Sequence, residues 1–336
     1  MKTKEWRQRL KPYAKANRFK AWIQIINTVL PYFALLTTMG LGIYFHVPYI
    51  IIFLLAIPTG AFMVRIFILF HDCTHLSFFK TKKGNQITGH LLSILAFTPY
   101  TIWQSSHNRH HGTVGNLDER GIGDVWTMTV DEYLASNKSR RFLYRLYRHP
   151  IFLFIVAPFF LFGVLNRLPS KKFSSKAHQR SRWFTNGGIF LTILLVSLTI
   201  GIKYYLLIQL PVLFFASIMG VWMFFVQHQF EEVYWERHEE WDFVKAAIEG
   251  SSFYKLPIVL DWITGHIGFH HIHHLNPRIP NYNLRKCYYE VHEFKRGKTI
   301  TLLKSFKVAV LSLYDEQSGR LIRIRDLRKR MVKSNV

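Results

Sequence analysis

Histidine is the side chain whose number and spacing could do chemistry here. The 336-residue chain has seventeen histidines, and three groups share a tight pattern. They are His71-Asp-Cys-Thr-His75, His107-Asn-Arg-His110-His111, and His270-His-Ile-His273-His274, the last within a run that begins at His266. On a helix, residues i, i+3 and i+4 share a face. Each group can therefore aim two or three imidazoles at one point, and eight histidines from three segments would build one large nitrogen-donor site. Imidazole suits iron, copper, zinc and nickel, whereas Mg²⁺ and Ca²⁺ take oxygen donors. A structural zinc takes four ligands and a catalytic zinc keeps three, so eight exceed one ion. Two iron ions would be well served and keep a position for O₂; copper and a two-zinc site remain open. His46, His90, His149, His178, His238 and His292 lack this spacing and are expected outside the site. His266 and His271 are undecided, and Cys73 is not expected to be a ligand.

Something must position these groups. Residues are 49% hydrophobic and 16% aromatic, and the apolar ones come in long blocks separated by basic stretches, which marks a membrane protein. Four blocks can span a bilayer at about 20 residues each: about 22–45, 49–70, 184–202 and 204–226. Gly42 to Pro48 carries no Lys or Arg, and the second connection carries only Lys203, while all other intervening segments are basic. The positive-inside rule then puts both termini and the middle of the chain in the cytosol. The expected fold is all-α: one membrane domain over 1–336, with four transmembrane helices in two hairpins. A cytosolic helical cap from 71–183 and 227–336 carries the histidine-rich di-metal site. The basic start followed by a long apolar run reads as an uncleaved signal anchor. The stretches Ile87 to Trp103 and Ile151 to Leu165 are shorter and are expected in the interface. Arg320 to Lys333 is a basic, partly amphipathic end suited to headgroups. Arg65, inside the second block, is expected to snorkel to the interface, with a grip on a lipid phosphate as the alternative.

The formal charge is +24. Because the basic residues flank apolar blocks, anionic lipid headgroups are the expected partner, not nucleic acid. Two cysteines, Cys73 and Cys287, give no disulfide framework.

The three groups, HxxxH, HxxHH and HxxHH in this order, resemble the histidine boxes of the membrane fatty acid desaturase family, which also has four transmembrane helices and a cytosolic cap. The resemblance covers roughly residues 25–310. It is strongest toward bacillus-type acyl-lipid desaturases of the delta-5 kind, in Arg65 to Phe79, Asn116 to Trp126, Glu249 to Pro257 and His270 to Tyr282. It also covers Phe225-Val-Gln-His228, where the family supplies a further ligand, and so adds His228 to the metal set. Three residues separate His71 from His75, where animal-type stearoyl-CoA desaturases have four, which implies an acyl-lipid substrate. The resemblance implies two iron ions, O₂ as co-substrate and electrons from an external donor, a ferredoxin or flavodoxin-type carrier, since no cytochrome b5-like His-Pro-Gly-Gly segment is present. The implied product is a cis double bond in saturated acyl chains of membrane phospholipids, at delta-5.

Carboxylates commonly hold metal-bound imidazoles by the second ring nitrogen. Asp72, Asp118, Asp124, Glu231, Glu232 and Asp261 lie near the groups, and Asp72 and Asp124 are the expected partners. Trp103, Trp126, Trp222 and Trp262 are candidates to line an apolar slot. Two rival readings carry their own signatures: an alkane or carotenoid hydroxylase or ketolase would give a hydroxylated or keto product, and a metal transporter or sensor would need ionisable residues along the spans.

Overall fold

The computed structural model describes residues 3–121 and 123–327. Fifteen α-helices follow in order: α1 Thr3–Leu10, α2 Arg18–Tyr44, α3 Tyr49–Thr74, α4 Lys82–Leu95, α5 Tyr100–Thr113, α6 Val130–Ala135, α7 Lys138–Tyr147, α8 Ala157–Gly163, α9 Lys176–Ile200, α10 Ile202–His228, α11 Phe243–Glu249, α12 Ile258–Ile263, α13 His270–Leu275, α14 Asn281–Glu290 and α15 Leu302–Val308. Five short strands complete the described residues: β1 Met128–Thr129, β2 Phe253–Lys255, β3 Thr299–Thr301, β4 Leu313–Asp315 and β5 Arg320–Ile322.

α2, α3, α9 and α10 are long and apolar enough to cross a membrane. They form the two expected hairpins, but their cap-side ends overshoot the apolar blocks. α3 runs on through His71 to Thr74, and α10 through to His228. Two histidine groups are thus carried on the last turns of continuous membrane helices. α2 starts on Asn17, whose side chain accepts from the Lys20 N–H, and α9 starts on Ser175, which caps His178 in the same way.

α3 and α10 run side by side in the same direction. At one end Tyr49 donates to the Leu207 carbonyl and Phe53 meets Phe215 at 5.3 Å. Midway, Gly60 brings the backbones together: a Cβ there would sit 3.0 Å from the Ala216 nitrogen and 3.1 Å from the Val212 carbonyl oxygen.

Ile87 to Trp103 is broken at Phe97–Pro99 into α4 and α5, each 14 residues and too short to span. Ile151 to Leu165 becomes a π-helical turn, Phe152–Val156, followed by α8. Residues 152–167 meet α7 at 58°, the geometry of a broken span or a re-entrant segment.

The cap departs from the all-helical expectation in two small sheets. β1 pairs parallel to β4 and β4 antiparallel to β5, while β2 pairs parallel to β3. Each is a triplet or pair of residues whose partner lies far away in sequence, except β4–β5, so local patterning does not announce them. Arg320 opens a strand, and the basic end beyond residue 327 lies outside the described residues.

Arg65 neither snorkels nor faces lipid. It is 1% exposed; its Nε donates to Thr28 Oγ1 at 2.9 Å, an Nη donates to the Trp262 carbonyl, and its guanidinium lies 4.0 Å from the centre of the Trp262 ring. It ties α2, α3 and α12 together through neutral acceptors and a π face.

Because the α3–α10 contact is backbone on backbone, Gly60→Val is expected to destabilise the fold by about 1–3 kcal/mol. Thermal unfolding in detergent, followed by size-exclusion profile, checks this; an unchanged midpoint contradicts the close approach.

Candidate metal centre

Four helices carry the histidines. α3 supplies His71 and, at its C-terminal cap, His75; α5 supplies His107, His110 and His111; α10 ends in His228; α13 supplies His270, His273 and His274. All nine are buried.

They form two sets within one site, as a di-metal reading of their number requires. Nitrogens of His71, His75, His107, His111 and His273 lie within 4.8 Å of one another, and so do those of His110, His228 and His274. His270 joins the second set through Nε2 contacts of 2.9 Å to His228 and 3.1 Å to His274. The division follows helix geometry. On α5, His107 and His111, one turn apart, face the first set while His110 turns to the second. On α13, His270 and His274 share the second set while His273 turns to the first. Adjacent histidines differ by about 100° on a helix, so each HxxHH serves two neighbouring centres.

The spacings fit metal ions. Nε2 atoms stand 2.8 Å apart in His71–His107, 3.1 Å in His107–His111, 3.0 Å in His111–His273 and 3.2 Å in His110–His228. With metal–nitrogen bonds of about 2.0–2.1 Å, two ligands at right angles lie roughly 3 Å apart. Burial, and next the neighbouring imidazoles, hold His107, His111, His273 and His274 well below the usual histidine range. They are neutral near pH 7, which is the form that ligates.

Two carboxylates stand behind the imidazoles. Asp124 Oδ1 is 2.6 Å from His110 Nδ1. Gly123, at φ +78°, lets the loop press against His110, where a Cβ would lie 3.0 Å from the His110 Cβ. Asp72 Oδ1 is 3.3 Å from His71 Nδ1, and its Oδ2 accepts the Asn281 N–H at 2.6 Å, at the start of α14. A helix N-terminus favours a buried carboxylate there. The other acids knit the cap: Asp118 pairs with Arg237, Glu232 with Lys298 and Asp261 with His266. Glu231 offers its backbone carbonyl to the Leu321 N–H.

The remaining histidines stay outside both sets. His266 belongs to Asp261, and His271 is packed among Phe253, Tyr288 and Phe294, with burial lowering its pKa to about 4. His90 lies on Tyr100, His178 bonds Ser105 and Ser175, His238 bonds Asn116, and His292 meets Lys295. Cys73 is buried outside the sets.

Of the four tryptophans expected to line a slot, Trp103 stacks on His107 at 5.2 Å and meets Phe67 at 4.9 Å. Trp126 packs on Tyr144, Trp222 on Phe154 and Phe306, and Trp262 on Arg65. Sequence reading missed Phe224, whose ring lies 5.4 Å from His110 and 5.0 Å from His228; its place four residues before His228, on the same helix face, was the available signal. It also missed Arg148, a buried cation that bonds Thr127 Oγ1, Gln229 Oε1 and the Leu311 carbonyl; in a stretch full of arginines nothing local distinguishes it.

Four membrane-crossing helices, two of which end in histidines of two buried imidazole sets, define a membrane metalloenzyme of the histidine-box class. The pattern of the fatty acid desaturase family matches residues 46–301. A fatty acid desaturase of Bacillus subtilis is 40% identical over 327 residues, covering 97% of this chain and 92% of its own length. A Nostoc protein named sn-1 acyl-lipid omega-3 desaturase (ferredoxin) is 32% identical over 68% of this chain and 64% of itself. A Picosynechococcus sn-1 oleoyl-lipid 12-desaturase is 24% identical over 82% of this chain and 78% of itself. The chain belongs to the fatty acid desaturase family.

Carboxylates behind metal-bound imidazoles typically contribute 10–100-fold to metal affinity. Asp124→Asn is therefore expected to lower metal retention by roughly that factor while leaving the protein folded. Metal content after graded chelation checks it, with Asp118→Asn as the variant that leaves retention unchanged.

Proposed function

We propose that the chain is an O₂-dependent acyl-lipid desaturase that puts a cis double bond, at the delta-5 position, into saturated acyl chains of membrane phospholipids. The observation that carries this is the pair of imidazole sets seated on the cap-side ends of α3 and α10. In the overall reaction two adjacent methylenes each lose one hydrogen. O₂ takes four electrons, two from the acyl chain and two from a carrier, and with two added protons leaves as two waters.

A methylene C–H yields to no side-chain acid or base, and two iron ions, one in each set, supply the oxidation. Five and four nitrogen donors, with no carboxylate among them, support one metal ion in each set, and iron is among the metals that imidazole suits. The chain's own residues bind, orient and exclude. His71, His75, His107, His111 and His273 hold one ion; His110, His228, His270 and His274 hold the other. Asp124 keeps His110 Nε2 turned inward and Asp72 does so for His71. Trp103 and Phe224 cover the sets with apolar rings, and Phe67 and Phe162 continue that wall below Trp103, which excludes water from the reacting carbons.

An acyl-lipid substrate is supported by the names of the Nostoc and Picosynechococcus relatives, and an external ferredoxin or flavodoxin-type donor by the former. The delta-5 position rests on the bacillus-type resemblance; relatives are named for omega-3 and 12 positions. Scarce Lys and Arg between α2 and α3 and between α9 and α10 supports a multi-pass protein of the cell membrane with termini and site in the cytosol. A single buried cluster reaching from Trp6 to Leu321 supports one working unit over 1–336.

Protein purified after iron-supplemented expression is expected to hold about two irons per chain, and His273→Ala or His274→Ala to abolish activity while His149→Ala does not. Zinc in place of iron with activity retained refutes the iron assignment. Expression in a host lacking unsaturated lipids, fed labelled palmitate with new acylation then blocked, is expected to give a delta-5 bond in phospholipid-borne chains. Unsaturation confined to free or CoA-linked acids defeats the acyl-lipid reading, a bond elsewhere defeats only the position, and a hydroxylated product favours the hydroxylase rival.

A further inference from the structure

Two short cap helices turn large apolar side chains outward. α12 leaves Ile258 75% and Val259 73% exposed, and α15 leaves Leu303 80% and Phe306 60% exposed. Apolar tips grouped like this on a soluble surface mark a contact.

Their depth identifies the contact. Trp262, on α12, stacks on Arg65 and meets Phe62 at 6.1 Å, and Phe306, on α15, meets Trp222 at 5.1 Å. Arg65 precedes His71 by six residues and Trp222 precedes His228 by six, about 9 Å of helix in each case. Both cap helices therefore lie alongside the spans, toward the bilayer from the level of the histidines. They also start side by side. β2 and β3 are parallel, with Lys255 opposite Thr301, so both strands leave the ribbon in one direction and run directly into α12 and α15. The Trp222 indole N–H, within 3.3 Å of Tyr254 Oη and of Ser305 Oγ, ties this pair to α10.

The rim is cationic. Lys255, Lys304 and Lys307 are exposed beside the apolar tips. Asp261, the one acid on the two helices, is taken by His266 at 2.7 Å and lies 4.0 Å from Arg285. Apolar tips with ammonium groups around them match the acyl chains and phosphate of an anionic phospholipid.

We propose that α12 and α15 insert side by side into the leaflet on the cap side, and that their tips with Lys255, Lys304 and Lys307 form the seat of an anionic phospholipid. Delivery of its acyl chain to the histidine sets rests on the acyl-lipid reading above; insertion and lipid binding do not.

Cys73 and Cys287 are buried, so Val259→Cys and Leu303→Cys in the full chain will take an environment-sensitive fluorophore selectively. In single-copy nanodiscs of phosphatidylcholine and phosphatidylglycerol, both probes are expected to be quenched by nitroxides on the upper acyl chain and little by aqueous iodide. Strong iodide quenching overturns insertion, and so does quenching by neither agent, which would mean a protein contact. Lipids that remain through purification are expected to be enriched several-fold in phosphatidylglycerol over the bulk membrane. The triple change Lys255→Glu, Lys304→Glu, Lys307→Glu should remove that enrichment; enrichment that survives it overturns the seat. A wild-type protein that makes no double bond in any lipid defeats the acyl-lipid reading, while these two measurements stand or fall by themselves.

Discussion

Nine buried imidazoles whose ring nitrogens converge in two sets are a constraint that the rest of the molecule must satisfy. Ring nitrogens that face each other at 2.8–3.2 Å need a proton or a cation between them. Charging the rings is disfavoured, because burial and the neighbouring rings lower the pKa of His107, His111, His273 and His274. The arrangement therefore has to be imposed from outside the centre, by helices stiff enough to hold their last turns in place.

The chain does this by not interrupting the helices. α3 and α10 lock together through Gly60 in mid-span and deliver His71 and His228 at their ends with no loop between the packed segment and the ligand. The cap must then be fixed to this frame. Two buried arginines do so with neutral acceptors: Arg65 holds α12, just before α13, and Arg148 joins Thr127, three residues from Asp124, to Gln229, next to His228. A guanidinium suits such joints because it offers five donors in a rigid fork. Removing it would leave several buried carbonyls without partners, each a loss of about 1–3 kcal/mol.

How much was legible in the sequence follows from the range of each interaction. The spans and the histidine groups are local patterns, and the structure contains them where the sequence put them. Asp72 adjoins His71, and Asp124 sits within reach of α5, so short separation made them readable. His228 has no repeat of its own and was reached only through the resemblance around Phe225. Two metal ions were legible from the number of histidines, and the division of each HxxHH between two sets was implicit in the helical period, but spacing alone could not say which histidine serves which set. Arg65 was misread because its partner Trp262 lies 197 residues away. The strands of the cap escaped for the same reason, since β2 needs β3 and β1 needs β4.

The position of the centre reconciles two demands that oppose each other. A methylene must reach it through an apolar path, while electrons and protons must reach it from water. On the membrane side, Trp103, Phe67 and Phe162 extend away from His107 as a run of aromatic edges and faces. On the cap side, a cleft lined by Leu76, Ser77, Lys80 and Arg278 opens next to His75. Arg278 lies close enough to push the His75 pKa the same way as burial does, so the positive potential of the cap surface extends into the first set. Had the histidines been placed a few turns lower on α3 and α10, the polar side would have been lost. Had they been carried on cap loops well above the spans, the acyl chain would have had to leave the bilayer entirely. Ending the ligand-bearing helices one turn beyond their apolar stretch is the placement that meets both requirements.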